Sequence, residues 1–175
     1  NRFSNLRKIN NSNANNLEIA WVFKSEGEKG DIQANPIIVD GVIYTPIAGG
    51  YIVAIDGSNG KLIWKSKKFG NSVARRGLIF WKGNNLEKPR IIFSNREKLV
   101  SLNIKNGKVI TSFGSNGKKR TGLNVTTPII YKDNIVIVTW DRAVEVYDLY
   151  SGKTKWKLKY KKKKNKRYGG KKFNN

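Results

Sequence analysis

Ala54-Ile55-Asp56-Gly57-Ser58-Asn59-Gly60-Lys61-Leu62-Ile63-Trp64 is the stretch from which the fold of this chain can be worked out. An apolar run ends at an aspartate, a glycine-bearing turn follows, and a lysine opens a second run that carries an indole. Glycine supplies the positive φ that a tight turn needs and that other residues resist. The unit returns as Ser101-Leu102-Asn103-Ile104-Lys105-Asn106-Gly107-Lys108-Val109-Ile110-Thr111. It returns again as Glu145-Val146-Tyr147-Asp148-Leu149-Tyr150-Ser151-Gly152-Lys153-Thr154-Lys155-Trp156. Aligned on Asp56, Asn103 and Asp148, the copies are spaced 47 and then 45 residues apart. That period, filled with short strands, suits the four-stranded blades of a propeller. Trp64 and Trp156 sit where an indole can dock between neighbouring blades and bury apolar surface, so packing accounts for them without a ligand. In the middle copy Thr111 stands where the tryptophan would be.

The expected fold class is therefore all-β: a β-propeller segment of three blades, at about 36–67, 77–113 and 127–160, preceded by one strand. That strand, Leu17–Lys24, bears Trp21. In the first blade the strands are expected at Ile37–Asp40, Val42–Pro46, Tyr51–Asp56 and Leu62–Ser66. In the second they are expected at Leu78–Trp81, Arg90–Ser94, Leu99–Ile104 and Lys108–Ser112. The third takes Ile129–Tyr131, Asn134–Trp140, Ala143–Asp148 and Thr154–Tyr160. Turn formers such as Asp40-Gly41, Gly49-Gly50 and Gly83-Asn84-Asn85 separate these runs. No helix longer than two turns is expected between Ile37 and Tyr160, and Trp64 and Trp156 are expected to be buried in equivalent places. Three blades and a strand cannot close a ring, so the natural protein is expected to continue past Asn175. Position 1 is asparagine and the chain has no methionine, so its natural start is expected upstream.

Composition narrows the chemistry. Hydrophobic residues make up 38% of 175 residues and aromatics 11%, enough for an ordered core. No apolar run is long enough to span a bilayer. The chain has no cysteine and no histidine. Disulfides, thiolate metal sites and every Ser-His or Cys-His catalytic pair are thereby excluded. The net charge is +23, which raises the question of nucleic acid or an anionic membrane as partner. The basic residues are spread along the chain, and asparagine clusters with them (Asn10, Asn11, Asn13, Asn15, Asn16). Lysine and asparagine share AT-rich codons, so a compositional origin outranks nucleic-acid binding. Segment 161–175, with Lys161–Lys164, Lys166, Arg167, Tyr168, Lys171, Lys172 and Phe173, has the basic and aromatic content of a single-strand binder. It is nevertheless expected to be a solvated basic loop, with nucleic acid not a partner.

The unit Ala-x-Asp-x-x-x-Gly-Lys-x-x-Trp resembles the tryptophan-docking motif of the pyrroloquinoline-quinone (PQQ) dependent dehydrogenases. Three further segments resemble the same family. Phe3-Ser4 with Leu6, Ile9-Asn10, Asn13, Leu17 and Ala20-Trp21 is similar to its N-terminal signature. Gln33-Ala34-Asn35-Pro36-Ile37-Ile38-Val39-Asp40-Gly41-Val42-Ile43-Tyr44 is similar to its first inner strand and hairpin. Arg76-Gly77-Leu78-Ile79-Phe80-Trp81 is similar to its second inner strand. The resemblance runs from Phe3 to about Trp156. It implies an eight-bladed propeller with PQQ on its axis beside a divalent cation, usually calcium, oxidising an alcohol or the anomeric carbon of an aldose sugar. The redox chemistry is the cofactor's, and the protein orients and polarises it. The resemblance further implies a quinone or cytochrome electron acceptor, a periplasmic location and membrane association of the full-length protein.

Carried over by residue, Arg76 matches the family's cofactor-binding arginine, whose guanidinium suits the carboxylates of PQQ. Gln33 stands where several members have a cofactor-contacting glutamate, and its amide both accepts and donates. Thr126 or Thr127, ahead of Pro128, falls at the third inner strand, where a hydroxyl can reach the cofactor; Thr126 is taken as the candidate. There are departures too. Gly70-Asn71 replaces a pair of adjacent cysteines common in the family. The short run Thr139-Trp140-Asp141-Arg142-Ala143 replaces a longer loop bearing a metal-binding glutamate, with Asp141 its nearest substitute. The family's catalytic aspartate lies beyond this chain, so no catalytic residue and no metal ligand is assigned, and this segment alone is expected to be inactive. The alternative is a binding or assembly protein without cofactor, because outer-membrane assembly lipoproteins use similar docking repeats.

Overall fold

The computed structural model describes residues 7–25, 32–70, 73–124 and 126–160. Phe3 and Ser4 of the N-terminal signature, Asn71 and the basic segment 161–175 lie outside them. Twelve strands form three antiparallel four-stranded sheets, each with its strands in chain order. Blade 1 contains β1 (Ile37–Val39), β2 (Val42–Ile47), β3 (Tyr51–Asp56) and β4 (Leu62–Lys65). Blade 2 contains β5 (Ile79–Trp81), β6 (Arg90–Ser94), β7 (Arg96–Asn103) and β8 (Lys118–Asn124). Blade 3 contains β9 (Ile129–Tyr131), β10 (Asn134–Val138), β11 (Ala143–Asp148) and β12 (Thr154–Lys159). Among the described residues the only helix is a 3-10 turn at Ala14–Asn16.

Apolar side chains on alternating positions pack sheet against sheet. Tyr44, Ile52 and Ala54 of blade 1 meet Ile91, Phe93, Val100 and Leu102 of blade 2. The other face of blade 2 supplies Ile92 and Leu99, which meet Ile135, Ile137 and Tyr147 of blade 3. Ile47, Val53 and Ile55, on the far face of blade 1, are covered by Trp21 and Phe23. Central strands with both faces covered lose the polar half of the usual alternation, which explains the fully buried Ile52-Val53-Ala54 and Ile91-Ile92-Phe93.

Each aromatic dock reaches forward onto the turn of the next unit. The Trp21 indole N–H donates to the Gly57 carbonyl at 3.1 Å, and the Trp64 indole N–H donates to the Ile104 carbonyl at 2.9 Å. The rings press so closely that a Cβ on Gly60 would lie 2.7 Å from Trp21, and one on Gly107 would lie 2.4 Å from Trp64. Both glycines also have left-handed φ, +74° and +67°. The turns thus need glycine twice over, for backbone and for space.

Three sequence expectations are corrected. The fourth strand of blade 2 is Lys118–Asn124, not Lys108–Ser112. Val109 makes a single bridge to Leu102, then the chain loops out and rejoins β7 at Val100 opposite Lys118. The detour places Phe113, fully buried, 3.1 Å from where a Gly152 side chain would begin. A phenyl ring from the insertion therefore takes the position that Thr111 leaves without an aromatic. Second, Leu17–Lys24 is not a strand. Trp21 docks as expected, but no described strand lies beside the segment to supply ladder hydrogen bonds. Third, Trp156 is 51% exposed while its repeat-mate Trp64 is half-buried. Among the described residues no glycine turn lies ahead of Trp156 to receive it.

Polar clasps reinforce the junction of blades 2 and 3. The Glu145 carboxylate is buried on β11 and accepts hydrogen bonds from the Gly122 N–H at 3.0 Å, the Tyr147 hydroxyl and the Lys157 ammonium at 2.9 Å. Burial alone would raise its pKa, but the bonds from Tyr147, Lys157 and Gly122 outweigh it and hold the carboxyl below its ordinary value. Burial, and then the Glu145 carboxylate, push the Tyr147 hydroxyl well above the usual tyrosine range. At the opposite end of the junction the buried Arg90 guanidinium pairs with Glu87, donates to the Tyr150 carbonyl at 3.4 Å and lies 5.2 Å from the Trp81 ring centre.

Two measurements check this account. Gly107→Ala adds a Cβ against the Trp64 ring on left-handed backbone, and should lower stability by about 2–3 kcal/mol. An unchanged urea midpoint would show that the dock tolerates a side chain. Glu145→Gln keeps the shape but loses charge-assisted bonds, and should cost about 2 kcal/mol at neutral pH. A depressed carboxyl pKa stabilises above the unfolded value and loses that contribution as pH falls through the folded value. The gap between wild type and Glu145→Gln should therefore close in acid, below about pH 4. A gap that persisted there would assign the effect to packing rather than charge.

Candidate functional site

The lead-ins to the three innermost strands meet at one place. Asn35, ahead of β1, bridges Gly77, ahead of β5, in parallel. The Thr127 hydroxyl, ahead of β9, donates to the Arg76 carbonyl at 2.9 Å. Three blades thus contribute adjacent backbone, as the axial end of a propeller requires. Gly77 sits at φ +134°, and a Cβ there would lie 3.2 Å from Thr127 Oγ1 and 3.3 Å from the Asn35 carbonyl oxygen. Glycine lets the three lead-ins close on one another.

The turn between β6 and β7 braces this end. The Ala74 N–H donates to the Ser94 carbonyl at 2.9 Å and the Gly77 N–H to the Ala74 carbonyl at 2.8 Å, so Ala74–Gly77 is a tight turn pinned to blade 2. Asn124 is buried and ties several parts together. Its amide donates to Ser94 Oγ at 2.9 Å, while its carbonyl oxygen accepts the Thr126 N–H at 2.7 Å and the Thr126 hydroxyl at 2.8 Å. The Asn95 amide donates to the Phe69 carbonyl at 3.0 Å, fixing the approach from blade 1.

The sequence candidates fall around this point. Arg76 immediately precedes Gly77, its side chain is exposed, and its guanidinium makes no hydrogen bond or ion pair among the described residues. Gln33 is exposed two residues before Asn35. Thr126 is exposed with its hydroxyl bonded to Asn124, whereas Thr127 is the threonine that reaches across to blade 2. Sequence reasoning missed Asn124 and Ser94. A buried asparagine ahead of a Thr-Thr-Pro run has the composition of a turn, and nothing local marks it as an inter-strand tie.

The site fits an anion better than a metal. An exposed guanidinium on a rigid backbone at the meeting of three blades suits carboxylate groups. Among the described residues no three acidic side chains converge. Asp141, the nearest substitute for the family's metal-binding glutamate, accepts the Thr139 hydroxyl at 2.6 Å and pairs with Lys159 at 2.8 Å. The Lys159 bond, then the Thr139 bond, hold its carboxyl below the usual aspartate value. It is engaged on the rim rather than aimed at the three lead-ins.

Stacked four-stranded meanders, forward aromatic docks and an axial meeting of inner strands define a β-propeller segment. The family model described as PQQ: glucose/ethanol/alcohol dehydrogenase, beta-propeller domain, matches residues 1–121, and the chain belongs to that family. The dehydrogenase subunit of alcohol dehydrogenase (quinone) from Gluconacetobacter polyoxogenes is 27% identical over 90% of this chain and 23% of its own length. The chain therefore spans about a quarter of the curated relatives it matches. The crystal structure of quinohemoprotein alcohol dehydrogenase from Comamonas testosteroni superposes with a TM-score of 0.69 at 24% identity, covering 90% of this chain and 25% of that one. BamB from Moraxella catarrhalis matches with a TM-score of 0.52 at 18% identity, over 73% of this chain and 38% of that one, a likeness of fold alone.

Thr127→Val keeps the side-chain volume but removes the hydroxyl that reaches the Arg76 carbonyl. It should cost about 1 kcal/mol and speed amide exchange at Gly77 and Leu78 more than in β7. Uniform exchange across blade 2 would show that the contact does not brace the lead-ins.

Proposed function

We infer that this chain is part of a PQQ-dependent dehydrogenase that oxidises an alcohol or an aldose and passes electrons to a quinone or cytochrome acceptor. One observation supports the reading most: the Arg76 guanidinium, without a protein counter-charge among the described residues, stands beside the backbone junction Asn35–Gly77–Thr127. Arg76 would hold a carboxylate of PQQ through paired N–H donors. Gln33 would present an amide to the cofactor edge, and Thr126 or Thr127 a hydroxyl oxygen as acceptor. When bound, PQQ supplies the two-electron acceptor that the chain's own side chains lack. The chain's contribution is geometric. Backbone ties among three blades fix the arginine before any ligand arrives, which lowers the ordering cost of binding.

Calcium is proposed for the complete protein only, because the described residues bring no donor set together for it. Its preferred shell of roughly six to eight oxygens would need residues outside this segment. The same holds for the aspartate that would take the substrate proton. A periplasmic location and association with a membrane-linked acceptor complete the proposal, and cell fractionation would test them. The likeness to BamB concerns the fold, and no feature of the axial end favours an assembly role.

Dye reduction by the complete protein, supplied with PQQ and calcium and offered a panel of alcohols and aldoses, tests the function. Turnover is expected from the complete protein and not from residues 1–175 alone; a complete protein inactive on every substrate would sink the proposal. Arg76→Ala should weaken PQQ binding by about 2–4 kcal/mol, or roughly 30- to 1000-fold. Equal affinity in a fluorescence titration would make Arg76 a surface residue.

A further inference from the structure

The fourth strands of blades 2 and 3 are both rich in cations, but they balance them differently. On β12 each lysine of the alternating series has a carboxylate: Lys155 pairs with Asp148 at 3.6 Å, Lys157 with Glu145 at 2.9 Å and Lys159 with Asp141 at 2.8 Å. On β8 the run Lys118-Lys119-Arg120 has no ion pair among the described residues.

The register sorts these side chains onto faces. Val100 lies opposite Lys118, Leu99 opposite Lys119 and Lys98 opposite Arg120. Val100 belongs to the core shared with blade 1, and Leu99 to the core shared with blade 3. Lys119 follows Leu99, its ammonium 5.5 Å from the centre of the Tyr147 ring of blade 3. Lys98, Lys118 and Arg120 therefore share the face turned toward blade 1. Lys98 and Arg120 are both exposed, and directly opposed like charges in a sheet destabilise it. Glu97, the acidic neighbour in sequence, sits in the tight turn closed by Asn95 and Lys98 and makes no ion pair with these cations among the described residues. No described acidic residue of blade 1 makes an ion pair with these cations. The chain that approaches this edge carries Lys67, whose ammonium lies over Phe69, and Phe69 packs edge-on against Phe93 in the row of Val100 and Lys118.

We propose that Lys98, Lys118 and Arg120 form an oxyanion site on the outer edge of blade 2, selective for a phosphate group. Cross-strand neighbours lie about 5 Å apart at Cβ and diagonal ones about 7 Å, so one tetrahedral anion can meet all three side chains. A guanidinium fork and two ammonium groups offer more donors than one carboxylate can use, and three uncompensated positive charges favour a dianion. The site spans the two outer strands of blade 2, β7 and β8, and does not depend on the dehydrogenase proposal. Free phosphate, a dianion, and the singly charged phosphodiester headgroup of an anionic lipid both present tetrahedral phosphate oxygens to such a site.

The test uses the complete protein. Inorganic phosphate is titrated by calorimetry at constant ionic strength, against wild type, Lys98→Gln/Arg120→Gln, and Lys105→Gln/Lys108→Gln as an equal charge change on a turn of the same blade. Wild type and the turn variant should bind alike, and the edge variant at least fivefold more weakly. Without phosphate the edge variant should melt no lower than wild type, because a repulsive pair has gone. Equal affinity in all three proteins, equal loss in both variants, or no phosphate response beyond that of chloride would overturn the proposal. Flotation with vesicles of phosphatidylcholine, with and without phosphatidylglycerol, then separates the sources. Phosphatidylglycerol-dependent binding lost in the edge variant assigns the lipid headgroup. Phosphate binding without it assigns the free anion.

Discussion

The structure depends on an aromatic ring pressed against a glycine turn. Each blade is a meander whose faces cannot be buried by its own strands. The ring that leaves one unit lands on the turn of the next, and the indole N–H closes on a backbone carbonyl there. This contact does two jobs. It buries a large apolar surface at the edge of the junction, and it sets the lateral register between sheets, because a carbonyl accepts an indole only from a limited range of positions. Where Thr111 takes the docking position of blade 2, the detour before Lys118 supplies Phe113 in place of a tryptophan. The contact is retained even though the residue and its position in the chain both change.

With the outer edge held by rings, the inner edge is free to be built from backbone. The Asn35–Gly77 bridge and the Thr127 bond to Arg76 place three inner lead-ins side by side. These ties use main-chain atoms and the Thr127 hydroxyl and leave the Arg76 guanidinium available for a ligand. Arg76 is thus fixed by its carbonyl and exposed by its side chain. Charge elsewhere is handled differently. Glu145 and Arg90 are buried, and each is matched by an ion pair within its own blade and a hydrogen bond across the junction of blades 2 and 3. Buried charge without such matching would cost more than the junction gains.

Membership of the PQQ propeller family agrees with this division of labour. A cofactor on a propeller axis takes ligands from many blades, and any one segment contributes only its share. In this segment the proposed share is an arginine, an amide and a hydroxyl, and no acidic cluster lies among the described residues. The departure at Asp141 is consistent with the same picture, since Asp141 is tied to Lys159 on the rim.

What the sequence determined by itself is what repeats. The spacing of Asp56, Asn103 and Asp148, the glycine turns and the period-two strands determine three blades, and eleven of the twelve described strands lie within a few residues of where the pattern puts them. Local pattern suffices there because hairpin turns and alternation are short-range constraints. Arg76 and Gln33 were legible only through resemblance, since neither stands out by composition. Tertiary structure alone decided the rest. The sequence pattern puts the last strand of blade 2 at Lys108–Ser112, and the structure moves it to Lys118–Asn124, with Phe113 received at the neighbouring turn by Gly152. Trp156 carries the same local signal as Trp64, yet one is exposed and the other docked. An indole's burial depends on what lies ahead of it in space, and no window of sequence around the indole contains that information.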